Sequence, residues 1–255
     1  MLRSVSVRHN VGFTVIGGIV CSAFLFAQPP AQGQGRGGRG AAGTGAARPS
    51  AVFFKVEWVR PPSQTGQVPV VQENIVDSNV EMKWYGTAAK QLLTSGNPGS
   101  DTTPFSVWSG ECEGPFAITF RQKNNYVDLT GLGKIRWVTK TSGFHVVRPV
   151  VKLADGTMLL GDRADASVPM LAQSEFALAG VRWVKLDPVR VVTLGGNSGP
   201  SNETWVPSPD LSKVDEVGFA DLMPGSGHGT GGYIHLGTFE VYGKPVPRAA
   251  STSTP

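Results

Sequence analysis

"MPGSGHGTGGYIHLG", residues 223–237, decides how the chain is to be read. Within it, Gly227 to Gly232 fits the spacing G-x-G-x-x-G. A dinucleotide-binding loop of that spacing opens directly into a helix, whose N-terminus receives the pyrophosphate. Here the glycines lead instead into YIHLGTFEVYG, which alternates apolar and polar residues and is rich in aromatic and β-branched side chains. That is the pattern of a strand. A P-loop fails too, because no Gly-Lys-Ser/Thr ending is present. The glycines therefore read as a wide turn between two paired strands, at positions where positive φ is tolerated. His228 falls in that turn, and His235 falls in the strand, opposite Ile234 and Leu236. Their spacing matches neither the close histidine pair nor the cysteine knuckle of known zinc sites. Apolar parity then shifts from Ile234 and Leu236 to Phe239 and Val241, which predicts a bulge at Gly237.

The same periodicity runs outward through the chain. AVFFKVEWV, NVEMKWYG, PFAITFRQ, GKIRWVTK, FHVVRPVVKL, SEFALAGVRWVKL and KVDEVGFADL are short, often alternating and punctuated by Gly, Pro, Asn and Asp. LADGT at 153–157 supplies an Asp-Gly hairpin turn. TAAKQLL is the one helical candidate. Many strands without crossover helices predict an all-β fold, an antiparallel β-sandwich or jelly roll.

Alternation also sorts side chains. Phe116, Ile118 and Phe120 share one face, as do Ile135 with Trp137, Val147 with Val151 and Leu153, and Val181 with Trp183. Arg121, Arg136, Arg148 and Arg182 fall opposite them, away from the expected core. Trp58, Trp84, Trp137 and Trp183 are in phase with apolar neighbours and are assigned to the core. Trp108 and Trp205 are out of phase or in a polar loop and are assigned to the surface.

The ends of the chain differ from its middle. Arg3 and Arg8 precede an apolar run from Val11 to Ala27, followed by small residues, which reads as a secretory signal peptide over residues 1–27. The run is shorter than the about 20 residues of a membrane-spanning helix, so no stable membrane insertion is expected once the signal is removed. Residues 28–50 are Gly/Ala/Arg-rich and read as a disordered linker, and 245–255 as a flexible tail around a 51–244 domain. Residues 1–50 hold five arginines and no acid, whereas the whole chain carries +4, so residues 51–255 carry −1. A near-neutral domain offers no electrostatic footprint for nucleic acid. With Cys21 in the signal, Cys112 is left without an internal disulfide partner and reads as a small buried hydrophobe. The expected location is secreted or periplasmic.

YVDLTGLGKIRWVTKTSGFHVVRPVVKLADGT, followed by PDLSKVDEVGFADLMPG and YIHLGTFEVYGKPV, resembles galactose-binding-like jelly rolls. The likeness is to family 11 carbohydrate-binding modules and the complex I intermediate-associated protein domain, over about residues 126–243. It rests on a "DL-(S/T)-G" turn before a central strand and a later "DLS-V--(I/V)GF" segment. The resemblance implies a sandwich that grips a poly- or oligosaccharide without turning it over. Such a grip needs an aromatic plate and planar polar groups. Trp108 and Trp205 are the candidate plates, Arg136, Arg148 and Arg182 the candidate forks, with Asp221, His228 or His235 at the rim. Several arginines on one face would favour acidic glycans; the competing reading pairs them with Glu or Asp across strands. The resemblance also implies a structural calcium, for which Glu57, Glu81 and Glu240 are the candidate ligands. Two alternatives stay open: a hydrolase or lyase using acids such as Glu111, Glu113, Asp162, Asp165, Asp215 or Glu216, and an envelope domain that docks a protein partner.

Overall fold

In an alternating strand every second side chain faces the same way, so two such sheets can close over one apolar layer. The computed structural model, which describes residues 50–194, 205–222 and 231–248, has this architecture. In chain order the strands begin with β1 (Val52–Val56), β2 (Val80–Tyr85), β3 (Leu93–Ser95), β4 (Ser106–Trp108), β5 (Phe116–Gln122) and β6 (Asn125–Asp128). They continue with β7 (Lys134–Thr141), β8 (Val146–Leu153), β9 (Met158–Gly161), β10 (Asp165–Ala166), β11 (Ala172–Ala177) and β12 (Trp183–Asp187). The last are β13 (Val192–Thr193), β14 (Trp205–Val206), β15 (Val214–Asp221), β16 (Ile234–Tyr242) and β17 (Lys244–Pro247).

The smaller sheet runs β11-β7-β16-β4-β3, with β1 also on β16. The larger runs β13-β12-β9-β8-β15-β5-β2, with β6, β10, β14 and β17 attached. All of these strand pairings are antiparallel, and the fold is an antiparallel β-sandwich of the jelly-roll class. Between the layers, Phe120 of β5 meets Phe239 of β16 with ring centroids 5.2 Å apart. Trp137 lies 6.2 Å from Phe239, and it and Trp183 are buried. Burying each such ring contributes about 2–3 kcal/mol. The Trp137 Nε1–H donates to buried Asp165 at 2.7 Å, so the indole's polar end is satisfied inside the core. Trp58 and Trp84 are partly buried against the same cluster.

The turns obey their sequence chemistry. Asp155 Oδ1 accepts the Thr157 N–H at 2.8 Å while Gly156 takes φ +90, closing the β8–β9 hairpin. Asp128 and Asp210 each accept the N–H two residues on at 2.9 Å, and the Leu129 N–H donates to the Leu211 carbonyl. The two "DL" turns thus lie side by side and feed β7 and β15, one in each sheet. The register of β16 against β7 shifts between Leu236 and Phe239, and Trp58 Nε1–H donates to the Gly237 carbonyl that this bulge frees. TAAKQLL is a short 3-10 turn over Thr87–Gln91 instead of an α-helix.

The fold continues past residue 244, because β17 pairs with β6. Residues 1–27 and nearly all of 28–50 lie outside the described residues. Among the described residues no helix is long and apolar enough to cross a membrane.

Candidate functional site

At one end of the smaller sheet, three segments distant in sequence enclose a groove of about 760 Å³. Loop 60–67 forms one wall, the 94–104 turn another, and Pro169 to Leu171 the third; Lys140 of β7 and His235 of β16 line it as well. Each wall has a local cause. Buried Asn74 fixes the first: its Oδ1 accepts the Val71 N–H, and its Nδ2 donates to Val59 O and Gln64 Oε1. The second is a compact turn in which the Asn97 N–H donates to Thr103 O, and the Thr103 N–H donates to Ser100 Oγ. It closes at Gly96, whose φ is +81 and whose missing Cβ leaves room for the Pro104 carbonyl. The third is tied to β7 by Val168, whose N–H donates to Thr141 Oγ1 at 2.9 Å.

The groove joins cations, hydroxyls and amides to a small apolar wall. The Arg60 guanidinium donates to Gly96 O at 2.9 Å and lies 5.0 Å over the Phe105 ring. It has no carboxylate partner among the described residues. Lys140 touches the Tyr233 ring at 5.4 Å and likewise has no carboxylate partner among them. Asp101 is the one carboxylate among the described lining residues. Met170 is 69% exposed beside Pro169 and Leu171, a patch able to meet an apolar ligand face.

His235 sits where the strands converge, opposite Trp108 on β4 and Lys140 on β7. Its Nδ1 lies 3.1 Å from Ser106 Oγ. Burial, and then the Lys140 charge, pull its pKa down to about 4, so it is a neutral hydrogen-bonding group at pH 7. An imidazole so weakly basic is a poor general base for the adjacent hydroxyl.

Of the described residues expected at a ligand site, His235 alone lines this groove. Trp108 is its cross-strand neighbour, with its indole folded over Gly110 and edge-on to Tyr233 at 6.2 Å. The arginines do not share one face. Arg136 lies on the outside of the smaller sheet, paired with Glu175 at 2.6 Å and Glu240 at 3.2 Å, as the cross-strand reading has it. Arg148 and Arg121 project from the larger sheet, on β8 and β5. Arg182 precedes β12 and lies 4.4 Å over the exposed Trp205 ring.

Asp221 is not at the rim. It is wholly buried, with its Oδ2 2.5 Å from His145 Nδ1, because it continues the inward parity of Val217 and Phe219. His228 lies outside the described residues. Of the calcium candidates, Glu57 and Glu240 stand near each other on the paired β1 edge and β16, but each is engaged by Lys55. Glu81 belongs to the other sheet, with Lys83 and Arg121, so the three form no common cluster. Among the described residues no group of three His, Cys, Asp or Glu is placed to hold a metal.

The candidate acids are dispersed. Asp162 pairs with Arg182, Asp215 with Arg121 and Arg248, and Asp165 with Trp137 and Arg163. Glu216 is buried on the outer side of the larger sheet, bonded to Thr119, Tyr85 and Lys152. Burial, with the Asp221 and Glu111 charges, raises the Cys112 thiol to about 12, which leaves it a core side chain.

Sequence reading missed Arg60, Asn97, Asp101 and Lys140. Arg60 comes after an apolar strand and precedes Pro61-Pro62, and the 94–104 turn is a Gly/Asn/Ser/Asp cluster. Those are loop signals, and loops carry sites, but their convergence depends on pairings that one dimension does not contain.

No family model matches the chain, and no curated protein matches it. Solved structures similar to it include a family 11 carbohydrate-binding module of a cellulosomal cellulase of Clostridium thermocellum. That match has 12% identity and a TM-score of 0.40, covering 71% of this chain and 97% of that one. An exo-beta-agarase structure is similar at 9% identity and a TM-score of 0.36, over 72% of this chain and 25% of that one. The adhesin domain of Lys-gingipain from Porphyromonas gingivalis is similar at 14% identity and a TM-score of 0.30, over 71% and 99%. Strand order and the shared aromatic core carry the fold assignment without these likenesses.

Proposed function

We propose that the chain is an exported, non-catalytic carbohydrate-binding β-sandwich whose groove takes an acidic glycan. The observation that carries this reading is the groove's composition: Arg60 and Lys140 without carboxylate partners among the described residues, beside a hydroxyl- and amide-rich turn and an apolar wall. Its volume suits a segment of a sugar chain. Planar Arg60, pinned by Gly96 and Phe105, is a fork for a carboxylate or sulfate, and Lys140 adds a point charge. Ser95, Asn97 and Thr102 offer donors and acceptors to hydroxyls, and Met170 packs the C–H face of a ring.

The acids support binding without turnover. Hydrolysis of a glycosidic bond takes two carboxylates across the scissile linkage, and Asp101 alone supplies one among the described lining residues. Arg3, Arg8 and the apolar run to Ala27 support export.

The test is affinity electrophoresis of the folded protein through gels containing polygalacturonate, dextran sulfate or a neutral β-glucan. Retardation is expected in the anionic gels, reduced by Arg60→Gln and by salt. Equal mobility in all three gels sinks the reading.

A further inference from the structure

A second feature, at the far edge of the larger sheet, has a surface chemistry of its own. Trp205 is 38% exposed on the two-residue strand β14, where it pairs with Val184 of β12. Arg182 lies two residues before Val184 and therefore faces the same way. Its guanidinium stacks 4.4 Å over the Trp205 ring, and its Nε–H donates to Asp162 Oδ2 at 2.8 Å. The Arg182 backbone N–H donates to the other Asp162 oxygen at 2.9 Å, so the carboxylate holds both ends of the residue.

We propose that Trp205, Arg182 and Asp162 form a second glycan contact, which makes the protein bivalent. The inference rests on the reading that the chain binds glycans. An exposed indole beside a held guanidinium and carboxylate supplies the elements a pyranose ring calls for. The ring's C–H face meets the indole, and its hydroxyls meet planar donors and an acceptor. The guanidinium already has Asp162 and Trp205 as partners before a ligand arrives, which lowers the entropic cost of binding.

The two contacts lie on different sheets. Leu171, in the groove wall, immediately precedes β11 (Ala172–Ala177), and Arg182 comes after its far end, beyond the Leu178–Gly180 turn. One molecule then bridges two polysaccharide chains, or two distant stretches of one chain, and gains avidity that neither contact has alone.

The experiment titrates short galacturonate oligomers into the protein by calorimetry and monitors long polygalacturonate by light scattering. Native protein is expected to bind two equivalents and to raise the scattering. Trp205→Ala, on an exposed residue, should leave one equivalent and abolish the rise; Trp205→Phe should keep both at lower affinity. Arg60→Gln should also leave one equivalent, now at the Trp205 contact. Two equivalents in Trp205→Ala, or only one in the native protein that Arg60→Gln removes, overturn the second contact and spare the groove. Loss with Trp205→Ala alone overturns the groove and spares the second contact. No heat with the native protein overturns both.

Discussion

His145 Nδ1 lies 2.5 Å from Asp221 Oδ2, and both side chains are sealed inside the sandwich. Asp221 ends β15 and His145 precedes β8, so the contact ties two neighbouring strands of the larger sheet at one end. Removing one member leaves the other buried without this partner, which is costlier than the pair is stabilising. Asp221→Ala is therefore expected to lower unfolding free energy by about 3 kcal/mol. Urea denaturation measures the loss, and ligand binding in the groove should be unchanged in the protein that remains folded.

His235 makes stability depend on pH. Its imidazole titrates near 6.5 when unfolded and near 4 when folded, because burial and then Lys140 disfavour the charged form. Between those values the unfolded chain binds more protons, so stability is fully present above pH 6.5 and falls as pH drops towards 4. The expected loss is about 2 kcal/mol, reduced from the full shift because the ring is partly solvated. His235→Gln should remove this part of the slope in urea midpoints against pH. Lys140→Gln should raise the folded-state titration seen by NMR of the ring protons.

Cys112 should be inert in the native protein. Its thiol is buried near Asp221 and Glu111 and is raised to about 12, so almost no thiolate exists at pH 7. Iodoacetamide is expected to label it in urea and to leave it unmodified in buffer over the same time, as read by mass spectrometry. Fast native labelling would show that this part of the core opens.

Val191 is fully buried yet holds φ +53, a conformation β-branched residues avoid. Its side chain belongs to the buried cluster that includes Ala117, Val150 and Leu160 at the outer side of the larger sheet. Val191→Ala should destabilise by about 2 kcal/mol through lost burial. Val191→Gly should cost no more than Val191→Ala, since glycine relieves the positive φ and offsets its own entropy penalty. Thermal denaturation of the pair decides it.

Parity in the sequence carried the core because a two-residue period is local. Trp137 and Trp183 are buried where alternation placed them, and the change of parity around Gly237 marks a real bulge. The same argument, applied to Val217 and Phe219, also places Asp221 inward; the acidic side chain drew attention to the rim instead. Alternation says that Arg136 and Arg148 point outward, but not that they point out of opposite sheets. The groove was hidden for a related reason. Arg60, Asn97, Lys140 and Leu171 meet only after β3, β7, β11 and β16 have found their partners.

The most direct measurement is calorimetric titration of galacturonate oligomers into native protein and an Arg60→Gln/Lys140→Gln variant, at low and high salt. The Trp205→Ala background isolates the groove. Tight, salt-weakened binding that drops at least about tenfold in the variant is expected, the loss of one or two charge-assisted contacts. Equal affinity with and without the two cations would contradict the assignment of the groove as the place where the glycan is held.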